Sequence, residues 1–202
     1  MRFSAYLLFS AGWFLFVYVP VAHWVWGGGF LATMGVIDFA GGLVVHLSAG
    51  GGGLVAAKVM GRRHGYGTEN LAPFDLSLAV IGTGMLWVGW FGFNVGSNLE
   101  ATGLAALVMI NTILATAMAT LAWMALEWLV RGRPTMLGAA SGAIAGLVAI
   151  TAPCAYVTGL ASLLIGLIAG ILVVVGVYGF DRLGIDDPVG AISVHGVCGT
   201  FG

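Results

Sequence analysis

The chain has 202 residues, 60% of them hydrophobic and only 7% charged, against roughly 25% charged in an ordinary soluble domain. That composition excludes a water-soluble globule. Seven Lys and Arg against eight Asp and Glu leave a net charge of -1, so there is no basic face for nucleic acid and no acidic tail, and the expected partner is the lipid bilayer.

Uncharged stretches, measured against the ~20 residues a helix needs to cross a bilayer core, predict six complete spans. They fall at 6–26, 38–59, 76–97, 103–128, 136–152 and 159–180, and a seventh begins near Asp187. Gly27-Gly28-Gly29 ends the first span, and Ala152-Pro153-Cys154 marks the turn between the fifth and sixth. The fold class expected is an all-α integral membrane protein, a polytopic helical bundle forming a single membrane domain over 1–202. An N-terminal signal peptide is disfavoured because the first apolar run is too long and no small-residue cleavage site closes it. The seventh span stops at Gly202, too short to cross, so the sequence reads as a fragment of a longer protein.

Every basic residue falls on one face of this arrangement. Arg2 precedes span one, Lys58, Arg62 and Arg63 follow span two, Arg131 and Arg133 follow span four, and Arg182 follows span six. The positive-inside rule then puts residue 1 on the cytoplasmic side. The loops 58–75 and 181–187 share that face, and their charges are explained by topology alone.

Many of the 34 glycines stand at helix-packing spacing, including Gly138, Gly142 and Gly146, then Gly166 and Gly170, and the run Gly50 to Gly53. They predict close backbone approach between helices. Cys154 and Cys198 have neither disulfide nor metal-ligand spacing and read as small core residues.

Two segments match each other. Asp38-Phe-Ala-Gly-Gly-Leu-Val-Val-His46 and Asp187-Pro-Val-Gly-Ala-Ile-Ser-Val-His195 share Asp, Gly, Val and His at the same positions, on spans of opposite direction. An inverted repeat accounts for this, and such folds bind substrate near the midplane. Each Asp is placed to cap its helix, and each His eight residues on lies ~12 Å deeper. The two imidazoles are thus expected to converge, though either could be an ordinary histidine bonded to a neighbouring helix.

With these residues in view the sequence resembles the ammonium transporter family, the Amt/Mep/Rh proteins. The resemblance rests on Asp38-Phe-Ala-Gly-Gly-x-x-Val-His46, Ala22-His23-x-x-Trp26-Gly-Gly-Gly29, Gly89-Trp-Phe-Gly-Phe-Asn94 with Gly96-Ser97, Gly138-Ala-x-Ser-Gly-Ala-Ile-Ala-Gly146, and Asp186-Asp-Pro188 with Val194-His-Gly-Val-Cys-Gly199. These cover essentially the whole chain and look more like the bacterial Amt branch than the Rh branch. The resemblance implies an eleven-span fold with an inverted repeat, of which the first three helices and the C-terminal end are absent. It also implies a homotrimer in the cell (inner) membrane and transport of ammonium or ammonia without enzymatic activity or cofactor. A soluble PII-type regulator on the cytoplasmic face is a further implied partner.

Residue roles follow from the same resemblance. Trp26 and Ser97 would receive ammonium in an outer vestibule; Phe93 would be one ring of a gate, Trp90 would line the upper pore, and His46 and His195 would be twin pore histidines. Asp38 would support the vestibule, with Tyr18, Asn94 and Thr151 as further support. Read without the family, Trp26 could equally be an interfacial anchor, and Trp87, Trp90, Phe91 and Phe93 could be packing or lipid-facing aromatics. His23 and His64 read as surface residues. A haem-binding redox protein, a neutral-solute channel and an ammonium sensor are the alternative functions, the first because two membrane histidines can ligate haem.

Overall fold

In the computed structural model, which describes residues 2–202, the chain forms seven helices among those residues. They are α1 (Phe3–Thr33, interrupted at Gly27–Gly29), α2 (Gly42–Met60), α3 (Leu76–Asn98), α4 (Gly103–Arg131), α5 (Met136–Thr151), α6 (Gly159–Arg182) and α7 (Ala191–Phe201). The side on which residue 1 lies concerns Met1, which is outside the described residues.

Five of these, α1 to α4 and α6, are long and apolar enough to cross a membrane. The fifth expected span, 136–152, is a 16-residue helix, shorter than the other five; at 1.5 Å per residue it is ~24 Å long. Its ends are fixed. Thr135, next to Pro134, caps the start by accepting from Gly138 N–H at 3.0 Å, and Pro153 follows two residues after the end. Ten of its residues are buried, so α5 is surrounded by protein and need not match the thickness of lipid.

Helices α4, α5 and α6 form the tightest part of the bundle, and glycine explains why. A Cβ on Gly146 would stand 2.7 Å from the Ala115 carbonyl oxygen, and one on Gly142 would stand 2.9 Å from that of Ala119. From α6, a Cβ on Gly170 would stand 2.6 Å from the Ala119 oxygen, and one on Gly166 would stand still closer to that of Ala115. The same two alanines of α4 thus serve two neighbours. Between α2 and α7, Gly50 lies against the backbone of Gly196, while a Cβ on Gly199 would meet His46 Cβ at 2.8 Å. Gly51 departs from the packing expectation: nothing lies within 4 Å of its Cβ position, and it lines an apolar groove between α1 and α2 with Gly12, Trp13 and Phe16. Cys154 and Cys198 are buried free thiols.

Four helices contain π turns, at Phe14–Tyr18, Gly42–Leu47, Phe91–Val95 and Ala191–Val197. The first precedes Pro20, whose missing N–H removes one regular helix bond. In the second, the Gly41 carbonyl accepts from both Val45 N–H at 2.9 Å and His46 N–H at 3.0 Å. Such turns widen a helix locally and are concentrated at functional positions.

Candidate functional site

The chain enters α2 through a capping turn built by Asp38. Its Oδ1 accepts from Gly41 N–H at 2.8 Å and Gly42 N–H at 2.7 Å, and its Oδ2 accepts from Leu43 N–H at 2.9 Å and Val44 N–H at 3.1 Å. One buried carboxylate therefore satisfies four consecutive donors that no helix carbonyl could reach. Gly41 has φ +119°, a value that only glycine adopts without strain. The Asp38 carbonyl also accepts from Trp26 Nε1–H at 2.7 Å, which fixes that indole by its edge while the residue stays 46% exposed.

Asp187 repeats the device at the entry to α7. Its carboxylate accepts from Ile192 N–H at 3.1 Å, Ser193 N–H at 2.8 Å and Ser193 Oγ–H at 2.6 Å. Gly190, three residues after the Asp as Gly41 is after Asp38, has φ +70°. Each segment thus runs Asp, left-handed Gly, π turn, His.

The two histidines meet. His46 Nδ1 and His195 Nδ1 are 3.1 Å apart, and the ring centroids are 5.2 Å apart. His46 is buried and His195 is partly so. Trp90 stacks on His46 at 5.2 Å with an interplanar angle of 19°, and Phe93 stands 5.7 Å from His46 and 5.4 Å from Trp90. Beneath these rings the fully buried Thr151 gathers three groups on one oxygen: Trp90 Nε1 at 3.0 Å, His46 Nε2 at 3.3 Å and the Leu147 carbonyl at 2.7 Å.

The other expected site residues are placed less centrally. Ser97 Oγ–H donates to the Phe93 carbonyl at 2.7 Å, so its proton is engaged and only its lone pairs remain for a solute. Asn94 is buried, donates to Thr112 Oγ1 at 3.2 Å, and leaves Oδ1 unpartnered among the described residues. Tyr18 stacks on Phe14 at 5.5 Å and lies 6.0 Å from Trp13, all on its own helix, and nothing links it to the histidine pair. His23 and His64 are exposed.

Several polar contacts have no sequence signal. Arg63 holds Asp186 through Nε–H at 2.9 Å, Nη2–H at 2.8 Å and its backbone N–H at 2.7 Å. Tyr66 Oη–H donates to Asp181 at 2.7 Å, and Arg62 Nε–H to the Gly184 carbonyl at 2.8 Å. The loops 58–75 and 181–187 are therefore bound to each other. The Arg63 hydrogen bond holds the Asp186 carboxyl below the usual carboxylate range, and its own guanidinium is raised in turn. Glu127 accepts from Thr135 N–H at 2.8 Å, tying α4 to the start of α5. Asn111 Nδ2 donates to the carbonyls of Cys154 at 2.9 Å and Val157 at 2.8 Å, fixing the turn after α5. Asn111 lies in the first third of α4 and its partners are more than 40 residues away, so spacing along the sequence gives no hint of this clip.

The site thus sets two hydrogen-bonded imidazoles among the rings of Trp90 and Phe93. The family model described as "Ammonium Transporter Family" matches residues 1–202. An ammonium transporter of Bacillus subtilis (strain 168) is 50% identical over 203 residues, covering 100% of this chain and 50% of that protein. Ammonium transporter Amt1 of Archaeoglobus fulgidus is 42% identical, covering 100% of this chain and 51% of that protein. Among solved structures, Saccharomyces cerevisiae Mep2 superposes with a TM-score of 0.90 at 38% identity, over 97% of this chain and 46% of that one. A sensor Amt protein superposes with a TM-score of 0.85 at 37% identity, over 92% of this chain and 49% of that one. The chain spans about half the length of the curated relatives it matches.

Proposed function

Because this chain belongs to the ammonium transporter family and is a multi-pass membrane protein, we propose that it forms part of a conduction path for ammonium and ammonia. The observation that carries this reading is the 3.1 Å contact between His46 and His195, which arrive on helices α2 and α7. Ammonium is recruited at Trp26, whose ring face attracts a small cation as water is shed, with the Ser97 oxygen as an acceptor. Carrying the intact cation through an apolar pore costs several kcal/mol at least. Transfer of a proton from ammonium to vestibule water near Phe93 removes that cost, and ammonia then passes Trp90, His46 and His195. Potassium is similar in size and charge but has no proton to lose, so the same barrier excludes it. Asp38 supports the vestibule through the Trp26 bond and the four-donor cap, and Asn94 and Thr151 support the wall behind it.

The wider setting is part of the same proposal. The protein acts as a homotrimer in the inner cell membrane, with residue 1 and the basic loops in the cytoplasm, as the uneven distribution of Lys and Arg supports. A PII-type regulator docks on the face made by 58–75 and 181–187. Ammonium sensing is a second reading, favoured by the likeness to a sensor Amt protein.

The test is methylammonium flux and ammonium-over-potassium selection in the reconstituted protein. His46→Ala combined with His195→Ala is expected to abolish one or both. A double variant with unchanged flux and unchanged selection overturns the histidine path.

A further inference from the structure

One hydroxyl group decides which nitrogens of the histidine pair carry hydrogen. Thr151 Oγ1 has one hydrogen and two lone pairs. The Leu147 carbonyl at 2.7 Å can only accept and is the nearer acceptor, so the hydrogen is best placed there. The Trp90 indole at 3.0 Å can only donate, so it occupies one lone pair. His46 Nε2 at 3.3 Å meets the remaining lone pair and must itself bear a hydrogen. A neutral imidazole protonated at Nε2 has a bare Nδ1. That bare nitrogen faces His195 Nδ1 at 3.1 Å, which must then be the donor.

We propose that Thr151 is a positioning residue that holds the neutral pair in a single tautomeric arrangement, Nε2–H on His46 and Nδ1–H on His195. Three of the four ring nitrogens are engaged in this arrangement. The fourth, His195 Nε2, makes no hydrogen bond among the described residues and is left as a bare acceptor. In the reverse arrangement His46 Nε2 is bare, and Thr151 Oγ–H would have to leave the Leu147 carbonyl at 2.7 Å to donate to that nitrogen at 3.3 Å, exchanging a short bond for a longer one in a buried place. The role rests on the conduction reading above and refines it. The pair presents passing solute with an acceptor and no free N–H, so it recognises a solute through that solute's own N–H groups.

The experiment is residue-assigned imidazole 15N spectroscopy of the reconstituted protein with a neutral pair. The expected result is His46 protonated at Nε2 and His195 at Nδ1; the opposite assignment in the unmodified protein overturns the proposal without any variant. Thr151→Val keeps the side-chain shape and removes the hydroxyl. It is expected to weaken the preference by the roughly two- to tenfold that one neutral hydrogen bond contributes, so that both tautomers appear on each ring. Thr151→Ser is expected to restore the single assignment. Methylammonium flux should fall in the valine variant by a similar factor and recover in the serine variant. A valine variant with one fixed assignment, or with mixed tautomers and unchanged flux, counts against the proposal. The two readings fail separately. Correct tautomers with flux indifferent to loss of both histidines sink conduction alone, whereas flux that needs the histidines with His46 protonated at Nδ1 sinks the tautomer assignment alone.

Discussion

Segments 38–46 and 187–195 bring their histidines to one hydrogen bond, yet they are held by different means. In the first, one carboxylate collects four successive N–H groups, and the same residue's carbonyl pins Trp26. In the second, the carboxylate collects two N–H groups and the Ser193 hydroxyl. The neighbouring Asp186 passes the load to Arg63, on the loop that leaves α2. The carboxylate bonds of the first support are all local, with Phe39 N–H adding one bond to the Ala152 carbonyl at 3.0 Å. The second depends on a contact 123 residues away in sequence, so a disturbance of that loop reaches His195 before it reaches His46.

This contrast has measurable consequences in thermal or denaturant unfolding of the detergent-solubilised protein. The largest concerns the carboxylates. Asp38→Ala strands four buried donors and is expected to cost about 3–5 kcal/mol, whereas Asp187→Ala is expected to cost about 1–3 kcal/mol. Equal losses would show that the two caps bear the same load. Next come the left-handed glycines. At Gly41, with φ +119° and Val45 Cγ2 only 2.6 Å from its Cβ position, alanine should cost about 2–3 kcal/mol; at Gly190, with φ +70° and Val194 Cγ2 at 3.0 Å, it should cost about 1 kcal/mol.

The smallest effect belongs to the ion pair. Asp186 is 3% exposed in its side chain but Arg63 is 43% exposed, so solvent screens the arginine, and Arg63→Ala is expected to cost about 0.5 kcal/mol. Its pH dependence is more telling than its size. The folded carboxyl of Asp186 is held below its ordinary value, chiefly by the Arg63 hydrogen bond. Its stabilising contribution is therefore complete above the usual carboxylate range and is lost as pH falls through the lowered folded value. Unfolding midpoints measured from about pH 6 down to about pH 3 should drop less steeply in Arg63→Ala than in the unmodified protein. Parallel curves would remove Asp186 from the account.

Much of this arrangement could be read from residue order, because it rests on local rules. Uncharged runs located the long helices, Gly27–Gly29 marked the break in α1, and the paired Asp-to-His spacing pointed to two rings that do meet. What escaped were features set by partners distant in sequence. The π turns carry apolar residues that would suit an ordinary helical turn equally well, so composition could not reveal them. Arg63 and Asp186 each looked like loop charges set by topology until folding brought the two loops together. The shortness of α5 follows from its burial by neighbours, which hydropathy cannot distinguish from burial in lipid. Thr151 was expected as support, but the three bonds that converge on its oxygen depend on the register of α5 against α2 and α3.

Where α2 crosses α7, Gly50 and Gly196 set main chain directly against main chain. The separation of the two backbones is therefore referred to atomic radii, and no rotamer change at the crossing can add slack to it. The anchor points from which both imidazoles reach stay at a fixed spacing, so the only freedom left to the pair is rotation of the rings about their own side-chain bonds.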